Sequence, residues 1–245
     1  MDRLIYTSMS GAKYLLERQA TLSNNLANAT TTGFRADTVG LRAVPVVSPQ
    51  DGTRVFTVET TTGADFSQGP ITATGRTLDV AIQTQGWLTV QAADGSEAYT
   101  RNGSLQVGPD GALQLPNGLQ VQGTGGPIAI PADAQSVLIA ADGTVSVKAA
   151  SSKTPTTVGQ LKLVNPPASD LVKGTDGLFR TQGGAPADAD ASVKVVGGAL
   201  EGSNVNVVEA MVGMIAASRQ FELQMKMLST AEQNEQKAST VIGGA

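Results

Sequence analysis

The chain of 245 residues is long enough for one large domain or two smaller ones, and its hydrophobic content of 40% can support a buried core. It contains neither cysteine nor histidine, which excludes disulfides, thiolate nucleophiles and the commonest general base and metal ligand. The formal net charge of −4, without a cluster of lysine and arginine, argues against a nucleic-acid partner, because phosphate binding needs a positive surface.

The first part of the chain carries a helical pattern that ends in polar residues. Apolar side chains recur at steps of four and three residues from Ile5 to Leu16, as in an amphipathic helix, and the spacing continues more weakly through Gln19 and Ser23 to Leu26. Asparagines and threonines then favour turns, so we predict a helix that ends between Asn28 and Thr32. The N-terminal sequence has no continuous apolar run, and we expect neither a cleaved secretory signal nor a membrane span.

The middle of the chain has the composition of a β protein. Residues 36–69 are rich in Val, Thr, Pro and Gly, and we interpret them as an extended connector with one or two short strands. Residues 70–202 alternate short strand-like runs with turn signals such as Asp94-Gly95 and Asp142-Gly143, which favours a central antiparallel all-β domain. The single tryptophan, Trp87, lies inside an alternating strand and is predicted to be a core residue.

The most regular pattern lies in the last forty residues. From Val207 to Ile242, the hydrophobic spacing averages 3.5 residues over five heptads, which is typical of a coiled-coil helix. Asn206 and Glu209 have the spacing of a capping box at its start. Further apolar residues flank this seam and make the apolar surface wider than a two-stranded coil requires, so more than one partner is expected. The flanking residues are Val208, Met211, Val212, Ile215, Leu223, Met225 and Met227.

Two amphipathic helices at opposite ends of one chain pair side by side only if they run antiparallel. We therefore predict an α+β fold, in which residues 1–35 and 203–245 form a discontinuous helical coiled-coil domain, 36–69 the connector and 70–202 a β-rich domain. Ordering the helices costs more free energy than the burial of their apolar side chains within one chain returns. We expect neighbouring subunits to order them.

The sequence nominates no catalytic or ligand-binding site. Most carboxylates lie beside glycine in turns, where Asp has a structural role, and no pair suggests an acid and a base. The loop at 123–127 is rich in glycine but lacks the lysine and the helix of a phosphate-binding loop. We expect a protein without enzymatic activity, cofactor or metal ion.

Three stretches resemble the bacterial flagellar rod and hook proteins. SNNLANATTTGFR, at Ser23–Arg35, is similar to the N-terminal signature of that family, and LEGSNVNVVEAMVGMIAASRQFELQMKML, at Leu200–Leu228, is similar to its C-terminal signature. YTRNGSLQV, at Tyr99–Val107, resembles the core of the family's β domain. The opening residues 1–12 and DGLFR at Asp176–Arg180 look most like members from the proximal rod.

The resemblance implies a structural subunit of the basal-body proximal rod, which polymerises through its terminal helices and transmits torque. It implies export through the flagellar type III apparatus without a cleaved signal, and a location in the rod across the periplasm. The implied partners are proximal and distal rod subunits, copies of the chain itself and the export apparatus, with no nucleic acid and no membrane insertion. The positions expected to carry assembly are Leu22, Asn25, Leu26, Asn28, Gly33, Phe34, Leu200, Asn204, Glu209, Met214, Ile215, Arg219, Phe221 and Leu228.

Three alternatives stay open on the sequence alone. A distal rod or hook-type paralogue would share the same signatures. A secreted β-rich binding module would make the terminal helices incidental to function. An enzyme acting on peptidoglycan would need a pair of catalytic carboxylates, and the sequence does not supply an obvious one.

Overall fold

The computed structural model describes residues 2–45, 55–150 and 154–243, with side chains over 9–40, 63–150, 154–234 and 236–237. It divides the chain into two units. The first, the helical unit, is drawn from Met1–Asn28, Ala36–Asp65 and Val205–Ala245. The second, the β unit, is drawn from Ala29–Arg35 and Phe66–Asn204.

The helical unit contains two long helices, α1 (Asp2–Ala27) and α2 (Val207–Gly243), which pack against each other. A Cβ atom added to Gly11 would lie 3.2 Å from Nε2 of Gln224, and one added to Gly213 would lie 3.2 Å from Cδ1 of Leu22. Moving forward along α1 therefore moves backward along α2, and the predicted antiparallel pairing is confirmed. α1 ends at Ala27, one residue before the predicted interval.

The predicted seam of α2 is the face that α2 buries. Ala210 and Ala217 are buried, and Met214, Phe221 and Leu228 are half-buried. The stripe predicted on α1 is only partly right. Buried positions there include Ala12, Leu15 and Asn25, whereas Met9 and Leu16 on the predicted stripe are 56% and 51% exposed.

Residues 37–64, which fall within the predicted connector, contain two paired strands. β1 (Asp37–Pro45) and β2 (Val55–Ala64) are antiparallel, with Asp37 opposite Ala64 and an irregularity between Thr38 and Gly40. Asn25 joins α1 to this pair, because its side-chain amide donates to the Asp37 carbonyl at 2.9 Å and its side-chain oxygen accepts from the Asp37 N–H at 2.8 Å. The pairing depends on the register between two strands that follow each other in the chain.

The described strands of the β unit are short and antiparallel. In chain order they are β3 (Ile71–Ala73), β4 (Val80–Ile82), β5 (Trp87–Gln91), β6 (Glu97–Thr100), β7 (Gln106–Val107), β8 (Leu113–Gln114), β9 (Gln122–Gly123), β10 (Gly126–Pro127), β11 (Ala134–Ile139), β12 (Thr144–Ala149), β13 (Thr156–Gln160), β14 (Leu163–Val164), β15 (Leu171–Lys173), β16 (Phe179–Thr181), β17 (Val195–Gly197) and β18 (Ala199–Glu201). A 3-10 helix, Ala168–Asp170, precedes β15.

These strands form small sheets around a common core. The largest has the order β14-β5-β6-β16-β15, and a three-stranded sheet has the order β11-β12-β13. Two-stranded pairs include β17 with β4 and β18 with β3. Together with the helical unit, they confirm the predicted α+β class.

The core of the β unit is built from aliphatic side chains and one aromatic cluster. Trp87 is 5% exposed, and its ring centroid lies 4.5 Å from that of Phe179 and 5.9 Å from that of Phe66. The prediction that Trp87 is a core residue is confirmed. Asp94 and Asp142 have the expected structural role in turns, since each accepts the backbone N–H two residues further along the chain, at 2.9 Å. Hydrogen bonds from the Ser96 hydroxyl and then from its backbone lower the pKa of Asp94, and the backbone hydrogen bond from Thr144 lowers that of Asp142.

Candidate assembly surface and buried junction

The outward side of α2 is an apolar surface beside the seam. We call the exposed apolar residues on this side the outer face, and each of them is between 46% and 70% exposed. Val208, Val212 and Ile215 follow one another at helical spacing, and the exposed Arg219 continues their line. Contiguous exposed apolar residues mark interaction surfaces in soluble proteins. The outer face consists of Val208, Met211, Val212, Ile215, Leu223, Met225 and Met227.

The predicted assembly residues of the helical unit divide between the seam and the exposed side. Leu22 faces Gly213, while Met214, Phe221 and Leu228 lie half-buried along the seam. Ile215, by contrast, is 58% exposed and belongs to the outer face.

The remaining predicted positions lie at the ends of the helices. Asn28 closes α1 by donating from its side-chain amide to the Asn24 carbonyl at 3.0 Å, and Leu26 is half-buried. Glu209 lies in the first turn of α2, where its N–H donates to the side-chain oxygen of Asn206 at 3.2 Å. Asn206 is therefore the N-cap, as predicted.

In the β unit, the three stretches that carry the family resemblance meet at one buried carboxylate. Glu201, from the C-terminal stretch, is 0% exposed. Its Oε1 lies 2.6 Å from Nη2 of Arg35, from the N-terminal stretch, and its Oε2 lies 2.9 Å from Nη1 of Arg101, from the central stretch. The backbone N–H of Gly69 also donates to Oε1, at 3.0 Å. We call this cluster the junction.

Arg101 ties the junction to the core of the β unit. Its guanidinium donates to the carbonyls of Ile82 and Thr84, at 3.3 and 2.9 Å, and lies 5.6 Å from the centroid of the Trp87 ring. Burial lowers the pKa of this guanidinium, an effect that the Glu201 carboxylate opposes. The pairing with Glu201 therefore compensates part of the cost of desolvating Arg101.

Backbone hydrogen bonds hold three chain segments side by side at the junction. The Gly33 N–H donates to the Glu201 carbonyl at 2.8 Å, and the Asn204 N–H donates to the Phe34 carbonyl at 3.4 Å. The Asn204 side chain also donates to the Ser67 carbonyl at 3.0 Å. Residues 29–35, 66–70 and 199–204 therefore form one structure within the β unit.

Gly33 is required at the junction for two reasons. Its φ of +69° lies in the left-handed region, and a Cβ atom there would lie 2.3 Å from the carbonyl carbon of Arg101. Phe34 is held beside it, because the Lys173 ammonium lies 4.1 Å from the Phe34 ring centroid and donates to the Arg35 carbonyl at 2.9 Å. Leu200 lies in β18, opposite Thr72 of β3.

The three charged residues of the junction were not among the predicted assembly positions, although each lies in a stretch that resembles the family. Arg35 and Arg101 are the only charged residues in Ser23–Arg35 and Tyr99–Val107. Two lone cations in stretches that are otherwise uncharged, with one acid at the start of the third stretch, form a signal that could have identified the cluster.

Two features of the described residues bear on other classes of function. Over the described ranges, none of the helices combines the length and the apolar character needed to cross a membrane. Within those same ranges, no three His, Cys, Asp or Glu side chains gather in the way that metal ligands do.

Family models match three parts of the chain in order. "Flagella basal body rod protein" matches residues 5–35, "Flagellar hook protein FlgE/F/G D1 domain" matches 81–147, and "Flagellar basal body rod FlgEFG protein C-terminal" matches 196–241. The three matched ranges contain Arg35, Arg101 and Glu201, the charged residues of the junction. They define an axial protein of the flagellar rod and hook class.

Full-length relatives narrow the class. The chain is 46% identical to the flagellar basal-body rod protein FlgF of Salmonella typhimurium and 48% identical to that of Escherichia coli, over 99% of each chain in both cases. It is 33% identical to the rod protein FlgG of Buchnera aphidicola subsp. Baizongia pistaciae, over 89% of this chain and 91% of the relative. The chain belongs to the FlgF family of flagellar basal-body rod proteins. It is a structural subunit of the rod and not an enzyme, and the family implies assembly with other rod subunits.

Proposed function

We propose that this subunit builds the proximal rod by burying the outer face of α2 against neighbouring subunits, and that torque passes through the packed helices. The proposal rests on the observation that α2 buries one apolar face, the seam, against α1 and leaves a second apolar face exposed. Burial stabilises by roughly 25 cal/mol for each Å² of apolar surface removed from water. A neighbouring helix would remove this surface from water.

The predicted assembly residues take two roles in this proposal. Ile215 and Arg219 contact the neighbouring subunit directly, because both are exposed. The residues of the seam and the helix ends hold the α1–α2 pair in the shape that the neighbour meets. This second group consists of Leu22, Asn25, Leu26, Asn28, Glu209, Met214, Phe221 and Leu228.

The finer identity of the partners is part of the same proposal. The proposed partners are copies of this chain, other proximal rod subunits and distal rod subunits. The subunit would meet them after export through the flagellar type III apparatus. The FlgF relatives named above match over 99% of the chain, whereas the FlgG relative matches over 89%. Crosslinking in isolated basal bodies tests the assignment, since a proximal subunit crosslinks to proximal neighbours and a distal paralogue does not.

We also propose the domain division into 1–35 with 203–245, 36–69 and 70–202, with residues 29–35 held on the β unit by their contacts. Limited proteolysis of the free subunit should remove both helical ends and leave a resistant β fragment. Early cleavage inside residues 70–202 with intact ends would contradict the division.

The assembly face is tested by replacing both Val212 and Ile215 with serine in the full-length chain. Gln220→Ser is the matched control, because Gln220 is also exposed on α2 but is polar. In cells that lack their own copy of the subunit, the double variant should lose incorporation into basal bodies and swarming, while the control keeps both. Normal incorporation of the double variant would refute the proposed face. Circular dichroism of the purified subunits shows whether helix content is unchanged.

A further inference from the structure

We propose that Glu201 acts as a clip, which holds residues 29–35 on the β unit and thereby keeps the two chain segments that lead into α1 and α2 next to each other before a subunit meets its neighbours. Arg35 and Arg101 are the positioning residues of the clip. The inference rests on the proposed function, since it concerns how a rod subunit is prepared for assembly.

The geometry shows that the clip is closed from both sides of the carboxylate. Oε1 of Glu201 accepts from Arg35 and from the backbone of Gly69, and Oε2 accepts from Arg101. Arg35 is 1% exposed and Glu201 is 0% exposed, so water does not substitute for either partner. Hydrogen bonds between ionised groups are about twice as strong as neutral ones. Residues 29–35 are therefore anchored by a hydrogen bond between two charged groups, Arg35 and Glu201.

The charges of the junction identify Arg35 as the residue that can be removed cleanly. Two guanidinium groups share one carboxylate, so the loss of Arg35 leaves a neutral pair between Arg101 and Glu201. The loss of Glu201 instead leaves two like charges buried without a counter-charge. A neutral replacement of Arg35 opens the clip while the anchoring of Arg101 on the core is kept.

The position of the clip in the chain gives it an effect on the helices. α1 ends at Ala27 and α2 begins at Val207, so only short segments separate the two helices from Arg35 and Glu201. The effective concentration of two tethered elements rises as the connection between them shortens. Along the covalent chain alone, residues 28–35 and everything before them reach the β unit through residues 36–65. The clip therefore shortens the path between the two assembly helices.

The backbone hydrogen bonds supply a direct readout of the clip. The Gly33 N–H donates to the Glu201 carbonyl, so its exchange with solvent reports whether residues 29–35 are in place. The Thr89 N–H donates to the Lys162 carbonyl in the core of the same unit and reports the stability of the whole unit.

The experiment compares the full-length chain with its Arg35→Met, Arg35→Lys and Arg180→Met variants. Arg180 is the matched control, because it forms an ion pair with Asp176 that is partly exposed, in the same unit. In Arg35→Met, exchange at Gly33 should rise by about tenfold or more, as expected for the loss of a hydrogen bond to a charged group, while exchange at Thr89 stays unchanged. Arg35→Lys should restore part of the protection, and Arg180→Met should behave like the unaltered chain.

Two additional readouts link the clip to assembly. A protease that does not cleave at arginine should trim the unaltered chain to a fragment that begins near residue 29, and the Arg35→Met chain to one that begins near residue 36. Incorporation of Arg35→Met into basal bodies should fall well below that of Arg180→Met.

Each contrary result has a defined meaning. Unchanged protection at Gly33 in Arg35→Met overturns the clip, and an equal rise at Thr89 overturns it by showing a general structural role. Normal incorporation of a variant whose clip is open overturns the link to assembly but leaves the rod proposal intact. Failure of the unaltered chain to incorporate refutes the proposed function, whereas the exchange measurements still judge the clip.

Discussion

Replacement of Glu201 by glutamine should destabilise the β unit strongly, although the two side chains have nearly the same shape. Glu201 is 0% exposed, and Arg35 and Arg101 are 1% and 6% exposed, so solvent cannot screen the charges. Both carboxylate oxygens accept hydrogen bonds from guanidinium groups. Glutamine has one oxygen, and its amide group would direct hydrogens at one of the two cations.

The expected loss in the free energy of unfolding is about 3–5 kcal/mol, the range for removing one partner from a buried ion pair. Arg35→Met should cost much less in this global unfolding, because Arg101 and Glu201 remain paired and the opening is confined to residues 29–35. The double variant should lose less than the sum of the two single variants, because it leaves only Arg101 unpaired. Arg180→Met should cost about 1 kcal/mol or less, as for other exposed ion pairs.

Trp87 supplies the assay. It is the only tryptophan of the chain, it is buried in the β unit, and its ring lies 5.6 Å from the Arg101 guanidinium. Its fluorescence during urea unfolding therefore reports the stability of this unit, with an unchanged slope showing that the same surface is exposed. A loss for Glu201→Gln no larger than that for Arg180→Met would refute the reasoning about buried charge.

Further predictions concern the cap of α2, the tight backbone and the behaviour in acid. Asn206→Ala should weaken the start of α2 by about 1 kcal/mol, seen as a lower helix content by circular dichroism, and an unchanged spectrum and melting curve would contradict the capping role. Gly33→Ala should prevent normal closure of the junction, because a Cβ atom there meets the backbone of Arg101. Amide hydrogen exchange at position 33 should therefore be faster than in the unaltered chain, and an equal rate would be the contrary result. Hydrogen bonds from Arg180 lower the pKa of Asp176. This carboxylate therefore adds stability at pH values above its unfolded pKa, and that stability is lost as the pH falls through its folded pKa. In Asp176→Asn, the plot of stability against pH should be flatter below about pH 4.

The sequence by itself determined the features that depend on local chemistry and on period. A spacing of 3.5 residues separates the seam of α2 from its outer face, since each residue's angle around a helix follows from its number. Asn206 was recognisable as the cap because capping needs only neighbouring residues. Trp87 was recognisable as a core residue because it lies in a largely apolar strand, although the strand is buried on both faces from Trp87 to Val90 and not on alternate residues.

Only the tertiary structure decided the features that join distant parts of the chain. On α1, Leu15 is buried and Leu16 is exposed, because adjacent apolar stripes of a helix are distinguished only by what packs on them. β1 and β2 pair through register between separate segments, which composition does not reveal. Arg35 and Arg101 are separated from Glu201 by 166 and 100 positions. Their charges are visible in the sequence, but folding alone brings them to one carboxylate, and burial there is what gives each charge its energetic weight.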